Sequence, residues 1–287
     1  MKRLADLNKR LAVSMFVIAF VGLLIVYSSI NWVSALLVLT VAAAAVIGIW
    51  EYVQLALAKE LKPAVNLMMG VAFCEVFAFF FVQKQDYTPL LPLAILMIGV
   101  VTFFVFHFKE THNALNHIAV EFFGVCYVAL PLCFMLGVLY PLTSHPIAQD
   151  GRWWLGYLVV VTKITDVGAY FVGRLWGRHK LAPILSPKKT VEGAIAGFFF
   201  AVGASVLFYF LGKNYSAGTF DLSFTDSIWM GMLIGVIGQV GDLAESLLKR
   251  DAVVKDSNKL PGIGGVLDLL DSLLFTVPIV YLFLRMH

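Results

Sequence analysis

The chain has 287 residues, of which 60% are hydrophobic and only 14% are charged, and its formal net charge is +3. Soluble domains carry roughly 25% charged residues, so this composition excludes an ordinary water-soluble protein and indicates that a lipid bilayer surrounds most of the chain. The small net charge gives no indication of nucleic-acid binding. Cys74, Cys126 and Cys133 lie in apolar runs without a CxxC spacing, which argues against a disulfide framework.

Long apolar runs predict an all-α, polytopic integral membrane protein with about nine transmembrane helices, because each helix needs about 20 apolar residues to cross the hydrocarbon core. In chain order the predicted spans are 11–30, 32–50, 64–82, 90–107, 118–141, 153–174, 191–212, 228–247 and 267–286. The basic N-terminus is not expected to be a cleaved signal peptide, since its apolar run is long, lacks an A-x-A-like site and is followed at once by another span.

The segment 51–63 (EYVQLALAKELKP) alternates charges with Leu and Ala at helical spacing. This pattern predicts an interfacial amphipathic helix or an extension of the preceding helix.

The distribution of Lys and Arg predicts the topology. With the N-terminus in the cytoplasm, 16 of the 21 basic residues fall in cytoplasmic segments, four fall outside and Lys163 lies within a span. Because cytoplasmic loops are enriched in Lys and Arg, we expect a cytoplasmic N-terminus and an external C-terminus.

Ionisable side chains are costly inside a bilayer, so those within spans are candidates for function. The first five spans contain two internal carboxylates, Glu75 and Glu121, with His117 at an edge. We interpret them as hydrogen-bonding partners between helices, and the sequence assigns them no further role.

The sixth span carries a polar face. This face contains Lys163, Asp166, Tyr170, Gly173 and Arg174, all within the segment VTKITDVGAYFVGRLWGRHK. Taken alone, the face indicates either a ligand site or a buried ion pair at a helix contact.

The segment SPKKT (186–190) comes next. Pro187 predicts a turn, Lys188 and Lys189 add positive charge, and Thr190 predicts the N-cap of the following helix. Helix N-termini with nearby lysines bind phosphates well, although the segment taken alone is more simply a positively charged cytoplasmic anchor.

The eighth span ends with Asp242, Glu245, Ser246 and Lys249 on one helix face. All three helices (the sixth, eighth and ninth) reach the cytoplasmic leaflet in the predicted topology, with Asp166 about 12 Å below the end of its helix. We therefore expect their carboxylates and cations to meet in one cytoplasm-facing pocket, as phosphoryl or nucleotidyl transfer requires.

A glycine-rich turn before the ninth span contains Gly262, Gly264 and Gly265, whose N–H groups suit a phosphate. Asp268 and Asp271 follow, one helical turn apart. Two carboxylates so close repel each other unless a cation lies between them, and Mg²⁺ is usually held by carboxylates, water and substrate phosphates. The pair therefore predicts a metal site.

Two long motifs carry a family resemblance over about residues 160–275. SLLKRDAVVKDS with LPGIGGVLDLLDS resembles the signature of phosphatidate cytidylyltransferases, also called CDP-diacylglycerol synthases, in which S-x-x-K-R-x4-K-D precedes a glycine pair and D-x-x-D. DVGAYFVGRLWGRHKLAPILSPKKTVEG resembles the D-x-x-A-Y-x-x-G-R and S-P-K-K-T-x-E-G block of the same family.

The resemblance implies Mg²⁺-dependent transfer of CMP from CTP to phosphatidic acid, which gives CDP-diacylglycerol and pyrophosphate in phospholipid biosynthesis. A second cation is compatible with this reaction. It implies metal ligation by Asp242, Asp268 and Asp271, with Lys249 and Lys255 as further catalytic residues. The implied substrate and phosphate site comprises Asp166, Tyr170, Arg174, Ser186, Lys188, Lys189, Thr190, Ser246, Arg250, Asp256, Gly264 and Gly265.

The resemblance also implies a homodimer in a bacterial-type plasma (inner) membrane, with the active site facing the cytoplasm and open to lipid. We interpret residues 1–115 as transmembrane helices for anchoring, dimerisation or lipid access, and residues 116–287 as the catalytic region. The expected partners are CTP, phosphatidic acid, the bilayer and a second copy of the chain, without nucleic acid.

The sequence departs from the family pattern at two positions. Ile263 stands where the family usually has His, and Leu269 stands where it usually has Arg. The segment between Asp256 and the glycine pair is also one residue shorter. Both aspartates of D-x-x-D are present and the attacking phosphate is already an anion, so we expect a divergent but active enzyme.

Two alternatives stay open at this point. A related CTP-dependent kinase of a polyprenol or phytol, or a cytidylyltransferase for another lipid phosphate, would use the same kind of charged site. An ion-coupled transporter is a more distant alternative, because the sequence has no inverted repeat and its charges gather on the cytoplasmic side.

Overall fold

A computed structural model describes residues 19–85, 88–109, 112–141, 149–253 and 265–286. Over these ranges the chain consists of helices joined by short connections. The elements are helical residues 19–26 (α1), α2 (Asn31–Leu57), α3 (Val65–Gln85), α4 (Leu90–His107), α5 (Ala114–Leu139), α6 (Gly151–Trp176), β1 (Lys180–Ala182), β2 (Ser186–Thr190), α7 (Val191–Tyr215), α8 (Phe224–Asp251) and α9 (Val266–Met286).

The predicted all-α polytopic membrane fold is confirmed. Within the described residues, eight helices, α2 to α9, are long and apolar enough to cross a membrane. They coincide with the second to ninth predicted spans. Of the first predicted span, 11–30, residues 11–18 lie outside the described residues, and residues 19–26 form the helical segment α1. The only strands in the described part of the chain, β1 and β2, form a small antiparallel sheet between α6 and α7.

The segment after the second span is a helix extension and not a separate interfacial helix. α2 continues to Leu57, and Glu51, Tyr52 and Val53 are buried. The Tyr52 ring lies 6.4 Å from the ring of Tyr127, so this end of α2 packs against protein instead of lying on a lipid surface.

The described residues group into two compact units. One comprises the described residues within Met1–Cys133 and Ala252–Leu269, and the other comprises those within Phe134–Asp251 and Leu270–His287. The functional division that the sequence predicts at residue 115 stays a prediction.

In the first unit, buried carboxylates take part in helix contacts. Glu121 is fully buried in α5, where its Oε1 atom accepts a hydrogen bond from the backbone N–H of Ala64 (2.6 Å) and lies 2.8 Å from Nε2 of His107 in α4. The interpretation of Glu121 as a hydrogen-bonding partner between helices is thus confirmed. Glu75 is also buried, and its Oε2 atom has no hydrogen-bond partner among the described residues.

In the second unit, α6 and α7 pack closely because small residues face each other. A Cβ atom on Gly193 would lie 2.6 Å from the carbonyl oxygen of Ala169, and one on Gly197 would lie 2.8 Å from that of Thr165. Buried Trp154 packs 4.5 Å from Phe220, measured between ring centroids, and seals the other end of this helix pair.

The N-terminus of α6 is capped by Asp150, whose carboxylate accepts a hydrogen bond from the N–H of Arg152 and binds the Arg152 guanidinium. Partial burial acts to raise the pKa of Asp150, but the hydrogen bonds and charge of Arg152 together outweigh it and lower the pKa. The negative charge of Asp150 therefore stabilises the fold at pH values above the pKa that Asp150 has in the unfolded chain. This stabilisation is lost as the pH falls through the lower pKa that Asp150 has in the folded protein.

We expect Asp150→Ala to lower the free energy of unfolding by about 1 kcal/mol at pH 7, since an unsatisfied N-cap costs about 0.5–2 kcal/mol. Asp150→Asn should lower it less, because Asn keeps the capping oxygen. Thermal unfolding of the purified protein in detergent measures both variants. Equal melting temperatures for the wild type and Asp150→Ala would contradict the capping role.

Candidate functional site

Three helices of the second unit bring charged side chains together. These side chains, which we name the charged cluster, are Lys163 and Asp166 of α6, Lys189 of β2, Asp242 of α8 and Asp271 of α9. Nζ of Lys189 lies 2.5 Å from Oδ2 of Asp242, and Nζ of Lys163 lies 3.7 Å from Oδ2 of Asp166 and 3.9 Å from Oδ1 of Asp271. The convergence of carboxylates and lysines expected from the sequence is therefore present in these five residues.

The three carboxylates of the charged cluster share one electrostatic environment. Asp242 interacts electrostatically with both Asp166 and Asp271, and Asp166 interacts with Asp271. The two lysines balance part of this negative charge. Such pairing is needed because unpaired charges are strongly unfavourable in a low-dielectric setting. Lys163 is 40% and Asp242 31% exposed, so a polar ligand can reach the cluster.

Glycines on α8 determine how closely α9 approaches. A Cβ atom on Gly241 would lie 2.7 Å from the carbonyl oxygen of Asp271 and 3.2 Å from Phe275, and one on Gly238 would lie 3.4 Å from Cγ2 of Thr276. Because Gly241 directly precedes Asp242, this close contact brings the carboxylates of α8 and α9 near each other. The sequence did not lead us to predict this role, although the spacing of Gly238 and Gly241 could have indicated a close helix contact.

Hydroxyl groups tie α6 to α9. Oγ1 of Thr162 lies 3.0 Å from Oγ1 of Thr276, which also donates to the carbonyl oxygen of Ser272. Oγ of Ser272 donates to the Asp166 carboxylate at 3.3 Å. Sequence reasoning missed these hydroxyls too, yet Ser272 follows Asp271 directly and Thr276 lies one turn later on the same face.

The SPKKT segment is a strand, so the predicted turn at Pro187 is wrong. Ser186–Thr190 forms β2, which pairs with β1 through the partners Lys180↔Thr190 and Ala182↔Ser186. The turn lies at 183–185, immediately before the strand. Proline is tolerated in an edge strand, since its missing N–H need not enter a ladder.

Residues of β2 differ in what they face. Lys189 reaches Asp242, whereas Lys188 is exposed and Ser186 is half-buried. Thr190 is the N-cap of α7, as predicted, and its buried hydroxyl oxygen accepts a hydrogen bond from the N–H of Gly193. Its predicted contact with a phosphate stays a prediction.

The remaining predicted residues of α6 pair with each other. Nη1 of Arg174 donates a hydrogen bond to the exposed Tyr170 hydroxyl at 2.8 Å, and the guanidinium lies 6.0 Å from the Tyr170 ring centroid. This pair extends the polar face of α6 one to two turns beyond Asp166.

The C-terminal turns of α8 hold the other predicted cations. Nζ of Lys249 lies 2.8 Å from Oε2 of Glu245, and both side chains are largely buried. Nε of Arg250 donates to the carbonyl oxygen of Leu185, which ties α8 to the turn between β1 and β2. Ser246 is half-buried on the same helix.

The other predicted site residues lie outside the charged cluster or outside the described residues. Lys255, Asp256 and Gly264 fall outside the described residues, as does Ile263. Gly265 is buried immediately before α9. Asp268 lies in the first turn of α9, within the portion of that helix that belongs to the first unit.

The donor chemistry of the charged cluster suits a hard cation, because the carboxylate oxygens of Asp166, Asp242 and Asp271 are the ligands that Mg²⁺ prefers. In the part of the chain that the structure describes, no group of three or more His, Cys, Asp or Glu residues is positioned to hold a metal ion. The ammonium groups of Lys163 and Lys189 lie against the carboxylates.

Comparison with known proteins agrees with the motifs. Residues 8–287 match the model of the cytidylyltransferase family. A phosphatidate cytidylyltransferase of Chlamydia pneumoniae is 34% identical over 284 residues, 97% of this chain and 92% of that protein. A protein of the same name from Chlamydia muridarum (strain MoPn / Nigg) is 38% identical over 178 residues, 61% of this chain and 58% of that protein. Another from Synechocystis sp. is 34% identical over 260 residues, 83% of this chain and 84% of that protein.

The family match extends far beyond residues 160–275, where the motifs lie, and includes the N-terminal helices that the motifs do not reach. A relative more than 30% identical also aligns with almost all of the chain. The chain therefore belongs to the cytidylyltransferase family.

Proposed function

We propose that this chain is a phosphatidate cytidylyltransferase, which transfers CMP from CTP to phosphatidic acid and releases pyrophosphate. The observation that carries the proposal is the charged cluster of the second unit, in which three carboxylates and two lysines meet on α6, β2, α8 and α9. Nearly full-length similarity to proteins of that name supports it and identifies the substrate class.

The reaction needs charge neutralisation more than proton transfer. An oxygen of the lipid phosphate attacks the α-phosphorus of CTP, the new P–O bond forms, and the bond to the β-phosphate oxygen breaks as pyrophosphate leaves. The attacking oxygen is already anionic at neutral pH, so no general base is required. Positioned cations that neutralise the triphosphate therefore supply most of the catalysis.

The lysines of the charged cluster suit that task. Lys189 and Lys163 are paired with carboxylates, and a bound triphosphate would compete with those carboxylates as the anionic partner. Lys188, exposed beside Lys189 on β2, and Arg174, at the end of α6, add positive charge for the lipid or nucleotide phosphates.

Mg²⁺ is the cofactor that we propose, held by Asp242 and Asp271 together with Asp268, which lies one helical turn before Asp271 on α9. When bound, it would withdraw electron density from the phosphates and neutralise charge on the leaving pyrophosphate. Asp166 interacts electrostatically with Asp242 and Asp271 and so adds negative charge that would favour a bound cation.

We also propose that the protein works as a homodimer in the inner membrane with its site facing the cytoplasm. The excess of Lys and Arg in the segments assigned to that side supports this orientation. It places the site on the side where CTP is available.

Labelled CTP tests the reaction type. With purified protein, Mg²⁺ and phosphatidic acid, we expect ³²P from the α-phosphate to enter the lipid and ³²P from the γ-phosphate to appear in pyrophosphate. Label from the γ-phosphate in the lipid would contradict the proposal and indicate a CTP-dependent lipid kinase.

Substitution of the proposed metal ligands tests the site. We expect Asp268→Asn and Asp271→Asn each to lower the rate of CDP-diacylglycerol formation by about 10²-fold or more, because each removes a preorganised charge while leaving side-chain volume unchanged. Asp221→Asn, which alters an exposed carboxylate away from the cluster, is the matched control and should keep wild-type activity. Wild-type rates in either test variant would overturn the metal assignment.

The close approach of α8 and α9 gives a further prediction. Gly241→Ala should lower kcat/KM about 10-fold or more, because the added methyl group collides with the Asp271 backbone and moves the carboxylates apart. Gly203→Ala is the control, since a Cβ atom there meets no atom within 4 Å. Steady-state kinetics of both variants measure the effect, and equal kcat/KM values would show that the glycine contact does not set the site geometry.

A further inference from the structure

We infer that Glu51 is a positioning residue for the proposed reaction: its buried carboxylate holds the first turn of α9, the helix that carries Asp268 and Asp271. Glu51 lies in α2 and its side chain is fully buried. Its Oε1 atom accepts a hydrogen bond from the N–H of Val266 at 2.9 Å, and its Oε2 atom accepts one from the N–H of Leu267 at 2.8 Å.

The start of α9 needs such a partner. The first N–H groups of a helix have no acceptor within the helix, and a side chain at the N-cap usually supplies one. Gly265, which precedes Val266, has no side chain to do so. A carboxylate more than 200 residues away in the chain supplies both acceptors instead.

The arrangement also explains a buried charge in a membrane protein. A buried carboxylate is costly unless it is hydrogen-bonded or paired, and two backbone N–H groups at the positive end of a helix dipole stabilise it. Because both oxygens are used, the interaction fixes the direction of the first turn as well as its distance from α2.

Packing around Glu51 restrains the same turn. Gly48, nearly one helical turn earlier in α2, lies where a Cβ atom would be 3.6 Å from Cδ2 of Leu267, and Leu267 itself is fully buried. Burial of Leu267 sets the rotation of α9 about its axis, and Asp268 is the next residue. Asp268 lies in this same first turn and, like Glu51, in the first unit, so a shift of the turn would move Asp268.

Glu121 provides a matched control in the same unit. It too is a fully buried glutamate that accepts a backbone N–H hydrogen bond at a helix start, from Ala64 immediately before α3. α3 carries none of the proposed site residues. A general effect of removing a buried carboxylate would therefore appear in both Glu51→Gln and Glu121→Gln, whereas an effect on the site would appear only in the first.

The experiment compares wild type, Glu51→Gln and Glu121→Gln as purified full-length proteins. Gln has one oxygen acceptor and an NH₂ group that would face a backbone N–H, so Glu51→Gln should lose one of the two hydrogen bonds. We expect faster amide hydrogen exchange at the start of α9 and a fall in kcat of about 10-fold or more, with KM for CTP changed less than about 3-fold. Glu121→Gln should keep wild-type kcat and wild-type exchange at α9.

Three results would overturn the inference. The first is unchanged exchange at the start of α9 in Glu51→Gln, which would show that Glu51 does not hold this helix. The second is faster exchange with wild-type kcat in Glu51→Gln, and the third is an equal fall of kcat in Glu121→Gln; either would show that the role of Glu51 is only structural.

If Glu51→Gln does not accumulate, Glu51→Asp replaces it, since Asp keeps the charge but is one methylene too short to reach both N–H groups. The same increase in exchange and the same fall in kcat are expected, and their absence counts against the inference. The inference rests on the proposed function, but the exchange measurement uses no substrate. Failure of the cytidylyl transfer itself would be seen in the wild type, so the two failures are distinguishable.

Discussion

The cost of placing carboxylates within an apolar helix bundle is the constraint on which this structure depends. A cation or an N–H group beside a buried or half-buried acid stabilises it, because an isolated charge in a low-dielectric setting is strongly unfavourable. Asp242 has Lys189, Asp166 and Asp271 have Lys163, and Glu51 has the first N–H groups of α9. These pairings decide which helix ends and which strand must lie together.

The pairings also connect stability with function. In the charged cluster, two lysines balance part of the charge of three carboxylates, and the same lysines are suited to neutralise a triphosphate. Glycines at Gly238 and Gly241 make the geometry possible, since they let two backbones approach until acids on different helices interact. The site thus combines close backbone packing, as is common between membrane helices, with a small number of exchangeable ion pairs.

Much of this arrangement could be predicted from the sequence. Apolar run lengths predicted the spans of α2 to α9, and helical spacing together with the family motifs identified Asp166, Lys189, Asp242 and Asp271. The rest depends on partners that only the folded chain brings together. Proline favours turns and so predicts one at Pro187, but pairing with β1 makes this residue part of an edge strand. The predicted extension of the second span at Glu51 is present, but the acceptor role of Glu51 depends on residues more than 200 positions away.

If the charged cluster performs nucleotidyl transfer to a lipid phosphate, ³¹P NMR can follow the reaction with purified protein, CTP, phosphatidic acid and Mg²⁺. We expect the monoester resonance of phosphatidic acid to decline while the diphosphate resonances of CDP-diacylglycerol and the resonance of pyrophosphate grow in equal amounts. Accumulation of CDP without loss of the phosphatidic acid monoester would show that the cluster does not transfer CMP to this lipid.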